Sequence, residues 1–555
     1  MSGLGKGTAI SCLGVVLRAR GYCVTSIKID PYLNVDAGTM SPFEHGEVYV
    51  LDDGGEADLD LGNYERFLGC TLTSKHNITS GKIYEKVIRR ERTGDYLGKT
   101  VQMIPHVTDA VQDWISEVSQ IPVDGSSTQP DICLIELGGT VGDIESAVYL
   151  EALQQLQYRV GLENVCMIHV GLVPVMGVVG EQKTKPCQHS VKLLREAGIK
   201  PDFLFCRSEQ PLEESVRRKL SVFCQVPSQQ VVSLHDVSNI YRVPLLLEDQ
   251  GVGLLVLTRL GLQPEKEVIM PGVSLIDWRV MADRTDSVTR KCKIAIVGKY
   301  TGLSDAYLSV VKGIKHAALE AGVDAEICWV DATDLCNACS PGWSVLEAVD
   351  GVLVPGGFGD RGVEGKIAVS RFCREKDIPY FGICLGLQTA VIGFARDTLK
   401  WADANSEEFA PNSPHPVVKF MPEGSTTVMG GTMRLGARVT SLRSGTLAWK
   451  LYGGKESVSE RHRHRYEVNP EYIKMIENEG MVFSGVDQGE QVRMEIAEIP
   501  HQKFFLAAQF HPEFTSRPRT PNPLFLGFVL ASAGILSERL QLDGGVLQVG
   551  TGWTR

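Results

Sequence analysis

The residues with the clearest chemistry lie in the C-terminal half. Gly382-Ile-Cys384-Leu-Gly386 sits between an apolar run, Ile378-Pro-Tyr-Phe381, and a helical pattern over residues 387–396. A strand, a sharp turn and a helix make the setting of a nucleophile elbow, here with Cys in place of Ser. The flanking glycines permit the turn, and the amide hydrogens of a helix N-terminus stabilise a thiolate. A thiol nucleophile needs a base. His511-Pro512-Glu513, after the strand-like residues 504–510, supplies an imidazole with a carboxylate two residues on. In extended backbone those two side chains point the same way, so Glu513 can orient the ring. The free amides of Pro355-Gly-Gly-Phe-Gly359, at the end of another apolar run, suit an oxyanion hole. A lone buried Cys is usually a small hydrophobe; the three pieces in this order are far more specific.

A second chemistry opens the chain. Ser2-Gly-Leu-Gly5-Lys6-Gly7-Thr8 leads into a helical pattern over residues 9–20. Gly-rich amides, a helix N-terminus and a Lys together make a triphosphate cradle. The spelling departs from Walker A, because Gly7 stands between Lys6 and Thr8. Asp58 and Asp60 lie in Gly54-Gly-Glu-Ala-Asp-Leu-Asp-Leu-Gly62, and Glu136 ends the strand-like residues 131–136. A carboxylate at the C-terminal end of a strand beside a phosphate loop is where Mg²⁺ is held. The plainer reading of Asp58 alone is a solvated acidic loop. Lys183-Thr-Lys185 with Gln188, and Lys219 further on, fit a second set of phosphates, although solvated surface is the usual fate of such lysines.

The elements that position these residues are short buried strands, each followed by a helical pattern. Residues 131–136, 165–170, 292–298 and 351–355 are examples. They predict parallel sheets with βα connections. The expected architecture is two doubly wound α/β domains: residues 1–270, a partly helical linker over 271–290, and residues 291–540. The Gly-rich tail 541–555 is expected to be loose. A chain of 555 residues with 43% apolar and 22% charged side chains is globular. Its net charge of −11 excludes general polyanion binding, so nucleic acid is not an expected partner. The most apolar stretch, 165–180, is too short and too broken by His169 and Pro174 to span a bilayer. The opening residues carry no signal-peptide pattern, and 14 scattered Cys lack the density of a disulfide framework. A cytoplasmic protein with reduced thiols is expected. The Cys336-Asn-Ala-Cys339 pair lacks a second ligand pair for zinc.

Residues 291–540 resemble the class I glutamine amidotransferase domain. That resemblance implies Cys384 as nucleophile, His511 as base, Glu513 as orienter and Gly357 at the oxyanion hole. Gln388, Glu408 and Arg465 are implied to hold glutamine. From Ser2 to about Leu540 the chain resembles the CTP synthase family in its eukaryotic form. The motifs are Lys28-Ile-Asp-Pro-Tyr-Leu-Asn34, Gly38-Thr-Met-Ser-Pro42, His45-Gly-Glu47, Gly94-Asp-Tyr-Leu-Gly98, residues 136–146, Lys183-Thr-Lys-Pro186 and Arg461-His-Arg-His-Arg465. The resemblance implies an N-terminal P-loop, Rossmann-like amidoligase joined to a C-terminal glutaminase. UTP would be phosphorylated by ATP and aminated by ammonia drawn from glutamine.

The resemblance also implies residue roles. Gly5, Lys6, Gly7 and Thr8 would bind ATP, with Arg207 by the adenine. Asp60 and Glu136 would hold Mg²⁺, and Lys28 would lie between the nucleotides. Ser2, Lys183, Lys185, Gln188 and Lys219 would bind the UTP triphosphate, partly from a neighbouring subunit. Asp143, Ile144 and Glu145 would bind CTP as feedback inhibitor. His45 would stand at a gate and Leu97 in a lid. Arg361 and Glu364 are implied contacts for GTP as allosteric activator. The family forms homotetramers and can stack into filaments. It also begins with an apolar strand ahead of the phosphate loop, which Met1 replaces here. Two alternatives follow: a ligase-deficient regulatory or filament-forming protomer, or another glutamine-dependent ligase.

Overall fold

Parallel strands covered on both faces read as unbroken apolar runs. The computed structural model describes residues 3–177, 180–266, 274–425, 430–489 and 492–551. In it the chain divides into two compact α/β units. One holds the residues up to Asp36 and Asn63–Asp286; the other holds Ala37–Gly62 and the chain from Ser287 onward.

In the first unit Val24–Asp30 (β1) is buried along its whole length. It pairs in parallel with Asn77–Thr79 (β2) and with Ile132–Leu137 (β3). The helix Lys6–Ala19 (α1) precedes β1 and buries Cys12, Leu13, Val15, Val16 and Leu17. A second parallel sheet is made by Ile168–Leu172 (β4), Phe203–Ser208 (β5) and Val231–His235 (β6), in the order β6-β5-β4. Among the described residues β3 and β4 are both edge strands. They line one cavity of about 750 Å³, with Ile132, Leu134, Ile168 and Val170 on its walls and Leu4 and Ile10 at the start of the chain. The stretch expected as a linker carries the helix Leu275–Ser287, whose Trp278 packs on Phe67 with ring centroids 5.0 Å apart.

Among the described residues the second unit is built on a nine-stranded sheet. Its parallel half comprises Lys291–Gly298 (β7), Asp324–Asp331 (β8), Gly351–Val354 (β9), Tyr380–Ile383 (β10) and, further along the chain, Phe505–Ala508. Antiparallel strands Arg434–Leu442, Ser457–His464, Val482–Gln488 and Val492–Glu498 extend it. One face packs on Phe525, Phe528 and Val529, the other on Val391, Ile392 and Phe394. The tail differs from expectation. Leu547 is buried against this core and its amide donates to the Lys450 carbonyl at 2.8 Å, while Asp543 pairs with Arg539 at 3.0 Å. One apolar side chain and one buried ion pair are enough to dock a Gly-rich segment.

Candidate active site

Strand β10 ends at Ile383 and the next helix begins at Leu385, so Cys384 alone makes the turn. It does so at φ 54° and ψ −103°, a conformation that residues other than glycine rarely adopt and that surrounding structure must enforce. The elbow is tight: a Cβ on Gly386 would stand 2.1 Å from the Val354 carbonyl oxygen.

The Phe505–Ala508 strand lies beside β10 and carries the chain to His511. The His511 amide donates to the Arg461 carbonyl at 2.8 Å, and its ring stacks on Phe514. Nδ1 lies 2.7 Å from Oε1 of Glu513, both groups being buried. That bond fixes the tautomer and turns Nε2 toward the thiol. Nε2 makes no hydrogen bond of ordinary length; its electrostatic partner is Cys384. Burial works against the charged ring, but the Glu513 carboxylate and the Cys384 thiol outweigh it and push the His511 pKa up to about 10.

Gly356 of the Pro355-to-Gly359 loop abuts this pair, since a Cβ there would meet His511 Cε1 at 3.1 Å and Cys384 Cβ at 3.5 Å. The Gly359 amide donates to Glu408 Oε1 at 3.0 Å. Burial raises the Glu408 pKa, against the pull of that amide and of the Lys299 and Arg465 charges. Gln388 donates to the Tyr466 carbonyl at 3.0 Å and to Gln509 Oε1 at 3.3 Å, and Gln509 Nε2 stands 3.7 Å from the Cys384 sulfur. Cys384, His511, Glu513, the glycine loop, Gln388, Glu408 and Arg465 are thus one neighbourhood. The geometry suits attack by a thiol on a carbonyl, with an oriented base and backbone donors.

Sequence reading missed Gln509, Lys299 and Lys366. The last two had a signal, a Lys inside an otherwise buried apolar pattern. It also missed the buried His462, His464 and Glu495, whose donor atoms lie within 4.8 Å of one another. Burial pushes His464 down to about 3, so it stays neutral. Arg461 and Arg463 lie on the strand Ser457–His464 with their guanidinium groups largely buried, and Arg465 follows it in a bend. Arg461 reaches Tyr49 and Val50, and Arg463 pairs with Glu56 at 2.8 Å.

In the first unit, α1 opens at Gly5, with φ 88° and no side-chain cap. Ser2 lies outside the described residues. Lys28 and Glu136 face each other on β1 and β3, Nζ to Oε1 3.2 Å, and Tyr64 also donates to Glu136. Asp60, which falls in the second unit, lies in the first turn of the helix Leu59–Leu68, and its amide donates to Asp58 at 2.9 Å. Lys183 and Lys219 both act on exposed Glu181, and Lys185 lies over the Phe223 ring. Gln188 donates to Thr184 at 3.0 Å, and Arg207 pairs with Asp236. Asp143 stands at the N-cap position of the helix Ile144–Val160 without a capping side-chain bond, and Ile144 and Glu145 are exposed. Leu97 is 86% exposed. In the second unit His45 ends the short helix Pro42–His45 in an exposed position. Arg361 donates to the Lys299 carbonyl, and Glu364 pairs with Arg396 at 2.7 Å.

The family profile described as CTP synthase N-terminus matches residues 1–262, and that described as glutamine amidotransferase class-I matches 303–531. The CTP synthase of Dictyostelium discoideum is 53% identical over 96% of this chain and 97% of its own. CTP synthase 1 of Homo sapiens is 53% identical over 98% of this chain and 92% of its own.

The chain belongs to the CTP synthase family.

Its enzyme class is that family's, a glutamine-hydrolysing ligase, and a match of this length across both halves does not favour a ligase-deficient scaffold. The Trypanosoma brucei CTPS glutaminase domain with bound acivicin is 41% identical, covering 44% of this chain and 94% of that one, with a TM-score of 0.42. Among the described residues no helix is long and apolar enough to cross a membrane.

Proposed function

We propose that the second unit hydrolyses glutamine and that the first uses the ammonia to convert UTP to CTP at the expense of ATP. The observation that carries this reading is the oriented His511 beside a Cys384 held at positive φ. The oriented imidazole of His511 takes the thiol proton. The sulfur attacks the glutamine carboxamide, and the Gly357 amide stabilises the oxyanion. His511 returns the proton to the departing nitrogen, and ammonia leaves. Water then cleaves the γ-glutamyl thioester, releasing glutamate and restoring the thiol. Glu408, Arg465 and Gln388 hold the amino acid.

In the amidoligase, O4 of UTP is a poor leaving group until ATP phosphorylates it; ammonia then displaces phosphate at C4. Local supply matters, because an amine with a pKa near that of Lys, about 10.4, is mostly protonated in water at pH 7. The N-terminus of α1 with Gly5, Lys6, Gly7 and Thr8 fits ATP phosphates, and Arg207 fits the adenine side. Lys28 neutralises the transferred phosphoryl group. Lys183, Lys185, Gln188 and Lys219, with Ser2, take the UTP triphosphate, partly across subunits. Asp143, Ile144 and Glu145 take CTP as feedback inhibitor. Asp60 and Glu136 offer the hard oxygen donors that Mg²⁺ requires, and when bound it would neutralise phosphate charge. His45 serves as gate and Leu97 as lid; Arg361 and Glu364 receive activating GTP. A cytoplasmic homotetramer, able to stack into filaments, completes the reading. Its domains are 1–270 and 291–540, with linker 271–290 and tail 541–555.

Replacing Cys384→Ala tests the division of labour. Glutamine-dependent CTP formation should vanish while formation from ammonium salt persists. Loss of both rates would overturn the assignment.

A further inference from the structure

Two lysines in the second unit are buried where nothing in the mechanism above employs them. Lys299, just after β7, is 1% exposed, and Lys366, in the helix Val363–Lys376, is fully buried. Burying an ammonium is costly unless its donors are satisfied. Both direct their donors at the same short loop. Lys366 Nζ donates to the Pro355 carbonyl at 2.6 Å and lies 3.5 Å from that of Gly356. Lys299 Nζ donates to the Phe358 carbonyl at 3.1 Å and to that of Gly359. The Lys299 stem also backs the loop, 3.3 Å from where a Gly357 Cβ would stand.

A trans peptide plane points its C=O and the following N–H in opposite directions. Drawing the Gly356 carbonyl toward Lys366 therefore turns the Gly357 N–H away from that lysine. The Cα of Gly356 faces His511 and Cys384 on the other side of the loop. We propose that Lys366 and Lys299 are positioning residues which clamp the backbone on both flanks of Gly357, so that its amide is held toward the thiol before glutamine arrives. An apolar residue would fill either space, but would leave those carbonyls without donors and the peptide free to rotate. Preorganised donors of this kind act on the transition state more than on bound substrate.

This inference rests on Cys384 being the nucleophile and Gly357 lying at the oxyanion hole. Its test uses the full chain with Lys366→Met and, separately, Lys299→Met. Four measurements are made: glutaminase kcat and KM, inhibition by glutamate γ-semialdehyde, the rate of Cys384 alkylation by iodoacetamide, and CTP formation from ammonium salt. The aldehyde is chosen because its thiohemiacetal carries the oxyanion. The expected result for each variant is a kcat lower by about 10²–10³-fold, the loss typical of one oxyanion donor. The ammonia-dependent rate should be unchanged in both variants, and KM should be unchanged in Lys366→Met, whereas losing the Lys299 charge beside Glu408 should raise KM in Lys299→Met. In both, aldehyde inhibition should weaken by the same factor as kcat, and alkylation should change by much less than kcat. Unchanged kcat, or a fall in kcat without weaker aldehyde binding, would overturn the clamp. If Lys366→Met does not fold, Lys299→Met decides by the same readouts. Glutaminase activity surviving in Cys384→Ala would instead remove the underlying reading, so the two failures are separable.

Discussion

Gly356 packs its bare Cα so closely on the His511 ring that a Cβ would stand 3.1 Å from Cε1, and 3.5 Å from the Cβ of Cys384. The glycine is thus a spacer between the oxyanion loop and both members of the reacting pair. Gly356→Ala should push the loop or the imidazole by a few tenths of an ångström. Small misplacements of reacting groups can lower rates by about 10²-fold, whereas overpacking at one methyl costs about 1–3 kcal/mol. The expected variant is folded, loses glutamine-dependent synthesis and keeps the ammonia-dependent rate. Full activity with glutamine would show that the contact is slack.

The Glu513 carboxylate also sets a pH dependence. His511 has a folded pKa of about 10, against about 6.5 for a free histidine. A raised pKa contributes stability that is fully present below the unfolded value and is lost as pH rises through the folded one. Urea midpoints of the native protein should therefore decline between about pH 6.5 and pH 10. In Glu513→Gln the carboxylate's contribution is gone and burial opposes the charge, so that decline should flatten. Parallel curves for the two proteins would mean that the carboxylate does not hold the imidazolium.

Much of this site was legible because its parts are local. Gly382-Ile-Cys384-Leu-Gly386 declares strand, turn and helix in five residues, and His511-Pro-Glu513 carries its own orienting carboxylate. Gln509 was not legible, because its meeting with Cys384 depends on two strands far apart in the chain lying side by side. Lys366 was hidden for a related reason. Helical periodicity shows it on the face of Val363 and Ile367, but its carbonyl partners come from another segment. Two strands of the first unit, near residues 131–136 and 165–170, were readable as apolar runs, whereas the cavity between β3 and β4 is a property of pairing that no single segment reports.

Lys28 and Glu136 test whether the first unit's ion pair is structural as well as functional. They are register partners on adjacent parallel strands, both nearly fully buried, with Asp30 3.8 Å from the same ammonium. Removing one partner of a buried pair strands the other's charge and costs about 3–5 kcal/mol. Lys28→Met should lower the urea midpoint accordingly and abolish ammonia-dependent CTP formation, while leaving glutamine hydrolysis in place. An unmoved midpoint would show that the carboxylates are relieved by protonation or by solvent.

Arg461 gives the sharpest test of why residues 37–62 belong with the second unit. Its guanidinium is 2% exposed, donates to the Tyr49 hydroxyl at 2.9 Å and the Val50 carbonyl at 3.0 Å, and pairs with Asp52. Tyr49 in turn donates to the Phe514 carbonyl at 2.9 Å, three residues beyond His511. One side chain thus ties a strand of the sheet to an inserted segment and, through Tyr49, to the catalytic loop. Asp52 is half exposed and rehydrates if abandoned, so the loss falls mainly on the buried acceptors, about 1–3 kcal/mol each. Arg461→Met should therefore destabilise the protein and open residues 37–62 to limited proteolysis. It should also lower glutaminase kcat more than it raises KM. Arg461→Lys should not rescue it, because a single ammonium cannot reproduce the planar fork that serves three acceptors at once. Proteolysis at the native rate in both variants would show that the insertion is held by something other than this guanidinium.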